Sequence, residues 1–432
     1  MDKFVIRGGN PLLGTIKTSG AKNSALPCMA AAILTEDELI LENIPQVQDI
    51  DTERRLLESM GATVQLGYGR AQHRTVIQCA VLSDPVAKYE IVKTMRASSL
   101  VLGPLIARTG MARVAMPGGC AIGGRPIDLH IKGLEAMGAV ITQEHGYLEA
   151  RSPNNGNSPL KGAHIVFDKI TVTGTEDLLM AAAMAEGETL FENCAREPEV
   201  TDLATLLVAM GAKIEGAGTS TIRVQGVAKL HGARHRINPD RIEAGTFLIA
   251  GAITGGDLLV DCCNPAHLGS LINKLQACGV KLDIGSEHIR VRSSGGTLKC
   301  ADISTEEYPG FPTDMQAQYM ALATQCDGTT TVTENIFENR FMHVQELNRM
   351  GASITVNGRT ATVRGGGQLQ SAAVMCSDLR ASAALVLAAL IADGESILDR
   401  VYHMDRGYEH LEEKLRGVGA QIRRMGEVFA KK

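Results

Sequence analysis

One short phrase recurs six times along the chain. It reads Leu-Glu-Ser-Met-Gly61-Ala, Leu-Glu-Ala-Met-Gly138-Ala, Leu-Val-Ala-Met-Gly211-Ala, Leu-Gln-Ala-Cys-Gly279-Val, Leu-Asn-Arg-Met-Gly351-Ala and Leu-Arg-Gly-Val-Gly419-Ala. A period of about seventy residues means one supersecondary unit copied six times. Each glycine suits the left-handed position just past a helix C-terminus, where a side chain is costly. An alternating run follows it, as in Ala62-Thr-Val-Gln-Leu and Ala352-Ser-Ile-Thr-Val. Each phrase therefore closes an amphipathic helix and opens a strand. Residues 353–363 carry Asn357-Gly358 between two alternating stretches, which predicts a hairpin with a tight primed turn.

A second element recurs at the same period. Ala-rich apolar helices are predicted over residues 25–34, 97–107, 178–185, 247–253, 315–324 and 381–392. Several are apolar nearly all round, so they belong inside, whereas the alternating strands have one wet face. Each unit reads as βαβαββ with a buried helix, helices in the middle and sheets outside. Six units exceed what one core usually holds, about 250–300 residues. Two α/β domains of three repeats are expected, with the break in residues 234–240. The Pro/Asn/Gly/Ser run at 152–159 falls inside the repeat frame and reads as a surface loop.

Composition excludes some functions. The 432 residues carry a formal charge of −5, no Trp and 3% aromatics. General nucleic-acid binding wants a basic surface, and base stacking wants aromatics, so neither is expected. An anionic small substrate is still allowed, because local Arg and Lys can dominate a cleft. The N-terminus turns polar too soon for a signal peptide. The apolar run at 381–392 is shorter than the ~20 residues that span a bilayer. A cytoplasmic protein without membrane attachment is expected. The ten cysteines show no Cys-x-x-Cys and read as free thiols, and no metal is expected.

Function is expected where the repeat breaks. The sharpest break is Met116-Pro-Gly-Gly-Cys120-Ala-Ile-Gly-Gly-Arg125-Pro-Ile-Asp128-Leu-His130. Four glycines around one cysteine suit a mobile lid that carries a thiol; the alternative is a long surface loop with an incidental Cys. The second is Ser19-Gly-Ala-Lys22-Asn23, at the start of a buried helix. Taken alone, Lys22 is more often a solvated residue than an anion ligand at the positive end of a helix. Thr94-Met-Arg96-Ala-Ser and Asp378-Leu-Arg380-Ala-Ser share its logic. Three cations at such helix starts form a ready trap for phosphate or carboxylate. The third is Phe311-Pro-Thr313-Asp314-Met-Gln, where Asp314 is either an N-cap or a carboxylate base. The last is Tyr402-His403-Met-Asp405-Arg406-Gly407-Tyr408, a capped helix start or a means of bringing Arg406 to an anion. No dinucleotide fingerprint or P-loop is present.

These motifs, with Phe-Glu-Asn-Arg-Phe-Met-His343, resemble the UDP-N-acetylglucosamine enolpyruvyl transferases of bacterial cell-wall synthesis along essentially the whole chain. The resemblance implies two inside-out α/β barrel domains, each of three βαβαββ repeats around buried helices. It implies residues 22–238 as the first domain, which carries the Cys120 loop, and 1–21 with 239–432 as the second. The active site would lie in the cleft, with domain closure and loop folding on substrate binding. The implied reaction moves the enolpyruvyl group of phosphoenolpyruvate to the 3′-hydroxyl of UDP-N-acetylglucosamine and releases phosphate. Cys120 corresponds to the proton donor and Asp314 to the residue that takes or orients the hydroxyl proton. Lys22 and Arg406 stabilise developing charge. Lys22, Asn23, Arg125, Arg380 and Arg406 correspond to phosphoenolpyruvate ligands. Arg96, Arg125, Pro126, Ile127, Asp128, Leu129, Lys169, Thr171, Val172, Asp314 and Ile336 correspond to UDP-sugar contacts. No cofactor, metal, nucleic acid or membrane partner is implied, and a monomer is expected. The rivals are the shikimate-pathway transferase, which has no cysteine acid in that loop, and a non-catalytic UDP-sugar sensor, which would lose Cys120, Lys22 or Asp314. An inert repeat protein would not need cations at buried helix starts.

Overall fold

The computed structural model describes residues 2–67, 73–116, 127–292 and 296–426. All six phrase glycines have positive φ, between 86° and 107°. Around each, the glycine N–H bonds the carbonyl three residues back and the next N–H bonds the carbonyl five residues back, as in Gly61 to Glu58 and Ala62 to Leu57. That double bond is the Schellman closure, in which a hydrophobic residue past the glycine packs on one a turn earlier. The repeated Leu and Ala/Val supply that contact: Leu57 and Ala62 are both buried. The phrase recurs because each word of it has a task at a helix end.

The six phrases close the helices Gln48–Ser59, Asp128–Ala136, Pro198–Ala209, Gly269–Ala277, His343–Arg349 and Leu411–Gly417. The second set is helical too: Lys22–Ala30, Leu102–Thr109 after the 3₁₀ turn Arg96–Val101, Val172–Ala182, Arg241–Ile253, Gln316–Ala323 and Leu379–Ile391. Leu379–Ile391 has eleven buried residues, so almost no face is wet. Strands such as Thr221–Gln225 alternate exposed and buried. Helices thus lie inside and sheets outside. The predicted hairpin forms one residue later than expected. Asn357 still pairs with Thr360, and the turn is Gly358-Arg359 with positive φ only at Gly358. A primed turn with glycine at its first central position has that pattern.

Among the described residues there are six four-stranded sheets, each with a parallel pair extended by two strands in antiparallel pairing. The chain divides into two compact units, each with its own apolar core. One holds the described residues from Gly20 to Asn238. Its first sheet is completed by Arg234–Arg236, which pairs parallel with Glu38–Glu42. The other joins the N-terminal stretch through Ser19 to the stretch from Pro239 onward. Lys3–Arg7 lies between Glu395–Asp399 and Gln421–Met425, antiparallel to both. Leu13–Lys17 pairs parallel with Asp257–Asp261. The repeat pattern alone does not show this insertion, because the two strands are short and far from their partners in sequence. No helix of the described residues is long and apolar enough to cross a membrane.

Candidate active site

The two units each gather polar side chains at the starts of their buried helices. In residues 20–238, Lys22 is the first residue of its helix and only 9% exposed. Its Nζ donates to Asp49 Oδ2 at 2.9 Å, both side chains nearly dry. The solvated reading of Lys22 is therefore wrong: a buried cation needs a partner, and the Gln48–Ser59 helix supplies one. Asn23 beside it is exposed. One helical turn beyond Asp49, Glu53 is fully buried, and neither carboxylate oxygen has a hydrogen-bond partner among the described residues. Burial, then the nearby Asp49 charge, pushes its carboxyl up to about 8, so it is neutral at pH 7.

The segments carrying the expected UDP-sugar contacts are tied to each other. Ile127 is buried, Leu129 half-buried and Asp128 exposed at the start of the Asp128–Ala136 helix. Lys169 is exposed; Thr171 and Val172 are half-buried. Thr171 caps the Val172–Ala182 helix by accepting from Gly174 N–H. His130 bridges the two helix starts, with Nδ1 2.9 Å from Asp177 Oδ2 and Nε2 3.2 Å from Thr173 Oγ1. Asp177 Oδ1 accepts from Gly103 N–H, which brings in a third helix. Lys132 and Asp168 pair across the same edge at 2.8 Å. Arg96, half-buried, opens its 3₁₀ turn. Cys120, Arg125 and Pro126 lie outside the described residues.

In the other unit, Asp314 precedes the Gln316–Ala323 helix and caps nothing. The N-cap reading fails here, whereas Asp378 and Asp240 do cap their helices. Asp314 instead sits between two arginines that are themselves 5% exposed. Arg340 Nη2 donates to Oδ1 at 2.8 Å; Arg380 Nε and Nη2 donate to Oδ2 at 3.2 and 3.0 Å. Burial works against the Arg380 charge, but Asp314, Tyr408 and Asp240 together outweigh it and hold the guanidinium firmly protonated. Arg380 Nη1 is buried with no hydrogen-bond acceptor among the described residues. Around this pair, Gln318 Nε2 donates to the Asp314 carbonyl at 2.9 Å, and Tyr408 and Thr246 share a 2.9 Å hydroxyl contact. Ile336 and Arg406 are half-buried. Burial drives His343 down to about 4, so it stays neutral next to Arg340.

Sequence reasoning did not name Arg340 as a site residue, although it lies in Phe-Glu-Asn-Arg-Phe-Met-His343. Arg340 stands in a run that also holds Glu338, Asn339 and His343, so its residue type alone did not single it out. One group of possible metal ligands occurs among the described residues: Cys28, Asp202 and His235, mutually within 4.8 Å. His235 Nε2 already bonds Asp202 Oδ1 at 2.9 Å, and Asp202 Oδ2 takes Asn238 N–H at 3.0 Å. Burial, then Asp202 and Glu176, keep the Cys28 thiol protonated. The polar needs of the group are met without a cation.

The comparisons with known proteins agree over the whole chain. A family model described as EPSP synthase (3-phosphoshikimate 1-carboxyvinyltransferase) matches residues 6–415. The chain is 78% identical over 430 residues to the UDP-N-acetylglucosamine 1-carboxyvinyltransferase of Acidobacterium capsulatum, covering 99% of this chain and 97% of that one. It is 71% identical over 432 residues to the enzyme of that name from Koribacter versatilis, covering 100% and 98%. In fold it matches the crystal structure of the enolpyruvyl transferase NikO from Streptomyces tendae, with TM-score 0.86, 24% identity and coverage of 98% and 99%. The chain belongs to the enolpyruvyl transferase family, within the branch of the UDP-N-acetylglucosamine 1-carboxyvinyltransferases.

Proposed function

We propose that this protein transfers the enolpyruvyl group of phosphoenolpyruvate to the 3′-hydroxyl of UDP-N-acetylglucosamine, the first committed step of peptidoglycan synthesis. The observation that carries the reading is the 78% identity to a relative of that name along 99% of the chain. The site chemistry supports it. In the addition step, C3 of phosphoenolpyruvate takes a proton while the sugar oxygen attacks C2 and loses its own proton. In the elimination step, C3 gives a proton back, the C–O bond to phosphate breaks and the double bond re-forms. One group must donate the first proton and another must receive the hydroxyl proton.

Cys120 takes the donor role in this reading, and can also attach covalently to phosphoenolpyruvate. Asp314 receives or orients the hydroxyl proton. With two arginines against it, Asp314 is held as an aligned carboxylate, which favours orienting the hydroxyl before accepting from it. Arg380 has a buried donor left over for a phosphate or carboxylate oxygen. Lys22, Asn23, Arg125 and Arg406 complete the anion set and stabilise charge that grows during transfer. Arg96, Arg125, Pro126, Ile127, Asp128, Leu129, Lys169, Thr171, Val172, Asp314 and Ile336 hold the UDP sugar. In this reading residues 22–238 form one domain and 1–21 with 239–432 the other. The protein works as a cytoplasmic monomer without metal or cofactor.

The test is phosphate release from phosphoenolpyruvate with UDP-N-acetylglucosamine and with shikimate 3-phosphate as separate acceptors. Release with the UDP sugar alone is expected. Release with the shikimate ester alone would move the chain to the sister activity that the family model's description carries. Release with neither, alongside UDP-sugar binding, would leave a sensor.

A further inference from the structure

Glu334 is 1% exposed, yet its carboxylate accepts four hydrogen bonds. Oε1 accepts from Ile336 N–H at 2.9 Å, Phe337 N–H at 3.1 Å and Thr305 Oγ1 at 2.9 Å. Oε2 accepts from Thr313 Oγ1 at 2.9 Å. The two oxygens therefore serve different segments. One fixes the turn at Ile336; the other fixes the residue just before Asp314.

The second duty reaches further. A hydroxyl has one proton and two lone pairs. Ionised Glu334 can only accept, so Thr313 must point its proton at Glu334. That leaves a lone pair for Arg340, whose Nη1 stands 3.4 Å from Thr313 Oγ1 and whose Nη2 holds Asp314 Oδ1 at 2.8 Å. The chain of donors runs one way, from Arg340 through Thr313 to Glu334. Buried networks of this kind set geometry well when every member is satisfied.

We propose that Glu334 is a positioning residue for the transfer reaction, through the turn that presents Ile336 and through Thr313 and Arg340, which orient Asp314. The proposal rests on the transferase reading above. Glu334→Gln breaks the Asp314 side, because its amide oxygen can keep the three bonds made at Oε1 while its NH2 turns a donor toward Thr313. Thr313→Val breaks the same side, and Thr313→Ser keeps it. The experiment measures kcat, and KM for UDP-N-acetylglucosamine, for wild type and the three variants, with thermal unfolding of each.

Thr313→Val is expected to lower kcat about tenfold, the scale of one lost hydrogen bond to a charged group, with KM for the UDP sugar little changed. Thr313→Ser should restore kcat. Glu334→Gln should likewise lower kcat, with KM for the UDP sugar little changed. If Thr313→Val and Glu334→Gln keep wild-type kcat and KM, with or without a lower unfolding temperature, Glu334 is only structural and the proposal is overturned. Wild type that releases no phosphate with the UDP sugar overturns the transferase reading itself.

Discussion

Asp314, just before a buried helix, and Glu53, midway along the amphipathic helix Gln48–Ser59, are both carboxylates, one in each unit, and their surroundings are opposite. Asp314 has a guanidinium on each oxygen and keeps a side chain 26% exposed. Glu53 is fully buried with no hydrogen bond to either oxygen among the described residues, and the charge that acts on it is another acid, Asp49. Asp49 has its cation in Lys22; Glu53 is left without one. The lesson is that burial alone does not mark a reacting carboxylate. A group kept ionised by partners that themselves had to be buried is expensive to build, and expense of that kind points to function. A group that escapes the cost by staying neutral is a feature of the core.

The contrast can be broken most directly at Asp314. Asp314→Asn keeps the shape and removes the charge; kcat should fall by a factor of about 10²–10⁴, the range for a lost general base. Wild-type turnover in that variant would mean the arginine clamp exists only for packing. Lys22→Gln comes next. It leaves Asp49 buried without its cation, which should cost about 3–5 kcal/mol in denaturant unfolding and raise KM for phosphoenolpyruvate. An unchanged unfolding midpoint would show that Asp49 simply takes up a proton, as Glu53 does.

Glu53 sharpens the contrast through pH. Its carboxyl is raised from an ordinary 4.5 to about 8 by burial and by Asp49. Below pH 4.5 the group is neutral folded and unfolded. Between 4.5 and 8 the unfolded chain releases the proton that the fold retains, so stability falls as pH rises; above 8 this contribution is flat. Unfolding temperatures from pH 5 to 8 should drop more steeply for wild type than for Glu53→Gln, and superimposable curves would mean Glu53 is ionised in the fold. A smaller effect is expected at Gly351, whose φ is 92° with nothing closer than 3.7 Å to an added Cβ. Gly351→Ala should cost roughly 1–2 kcal/mol from backbone strain alone, read as a lower denaturant midpoint. The smallest is Asp168→Asn, which opens a pair of exposed side chains and should leave the unfolding temperature unchanged.

Much of this was legible in the sequence, for physical reasons that differ from place to place. The repeat glycines were readable because a Schellman closure needs three residue types at fixed offsets. The buried helices were readable because no polar face interrupts them. Lys22 was not, since a sequence shows the cation and not the Asp49 that buries it from a different helix. Asp314 could not be told from a cap, because a cap and a clamped carboxylate differ only in what the side chain reaches, here 26 and 66 residues away. The Arg-Ala-Ser triplets look alike at 96 and 380, yet only the second is fully buried. The placement of Lys3–Arg7 was hidden for a related reason: its partners lie at the other end of the chain.

That placement has a consequence for how the protein is made. Residues 20–238 hold every strand of their own sheets in one continuous stretch and can finish folding while synthesis continues. The strand Lys3–Arg7 cannot. It must wait, with its backbone unpaired on both edges, until Glu395–Asp399 and Gln421–Met425 have been translated. An unpaired apolar strand is an aggregation hazard, and Phe-Val-Ile at its centre is guarded here only by Lys3 and Arg7 at its two ends.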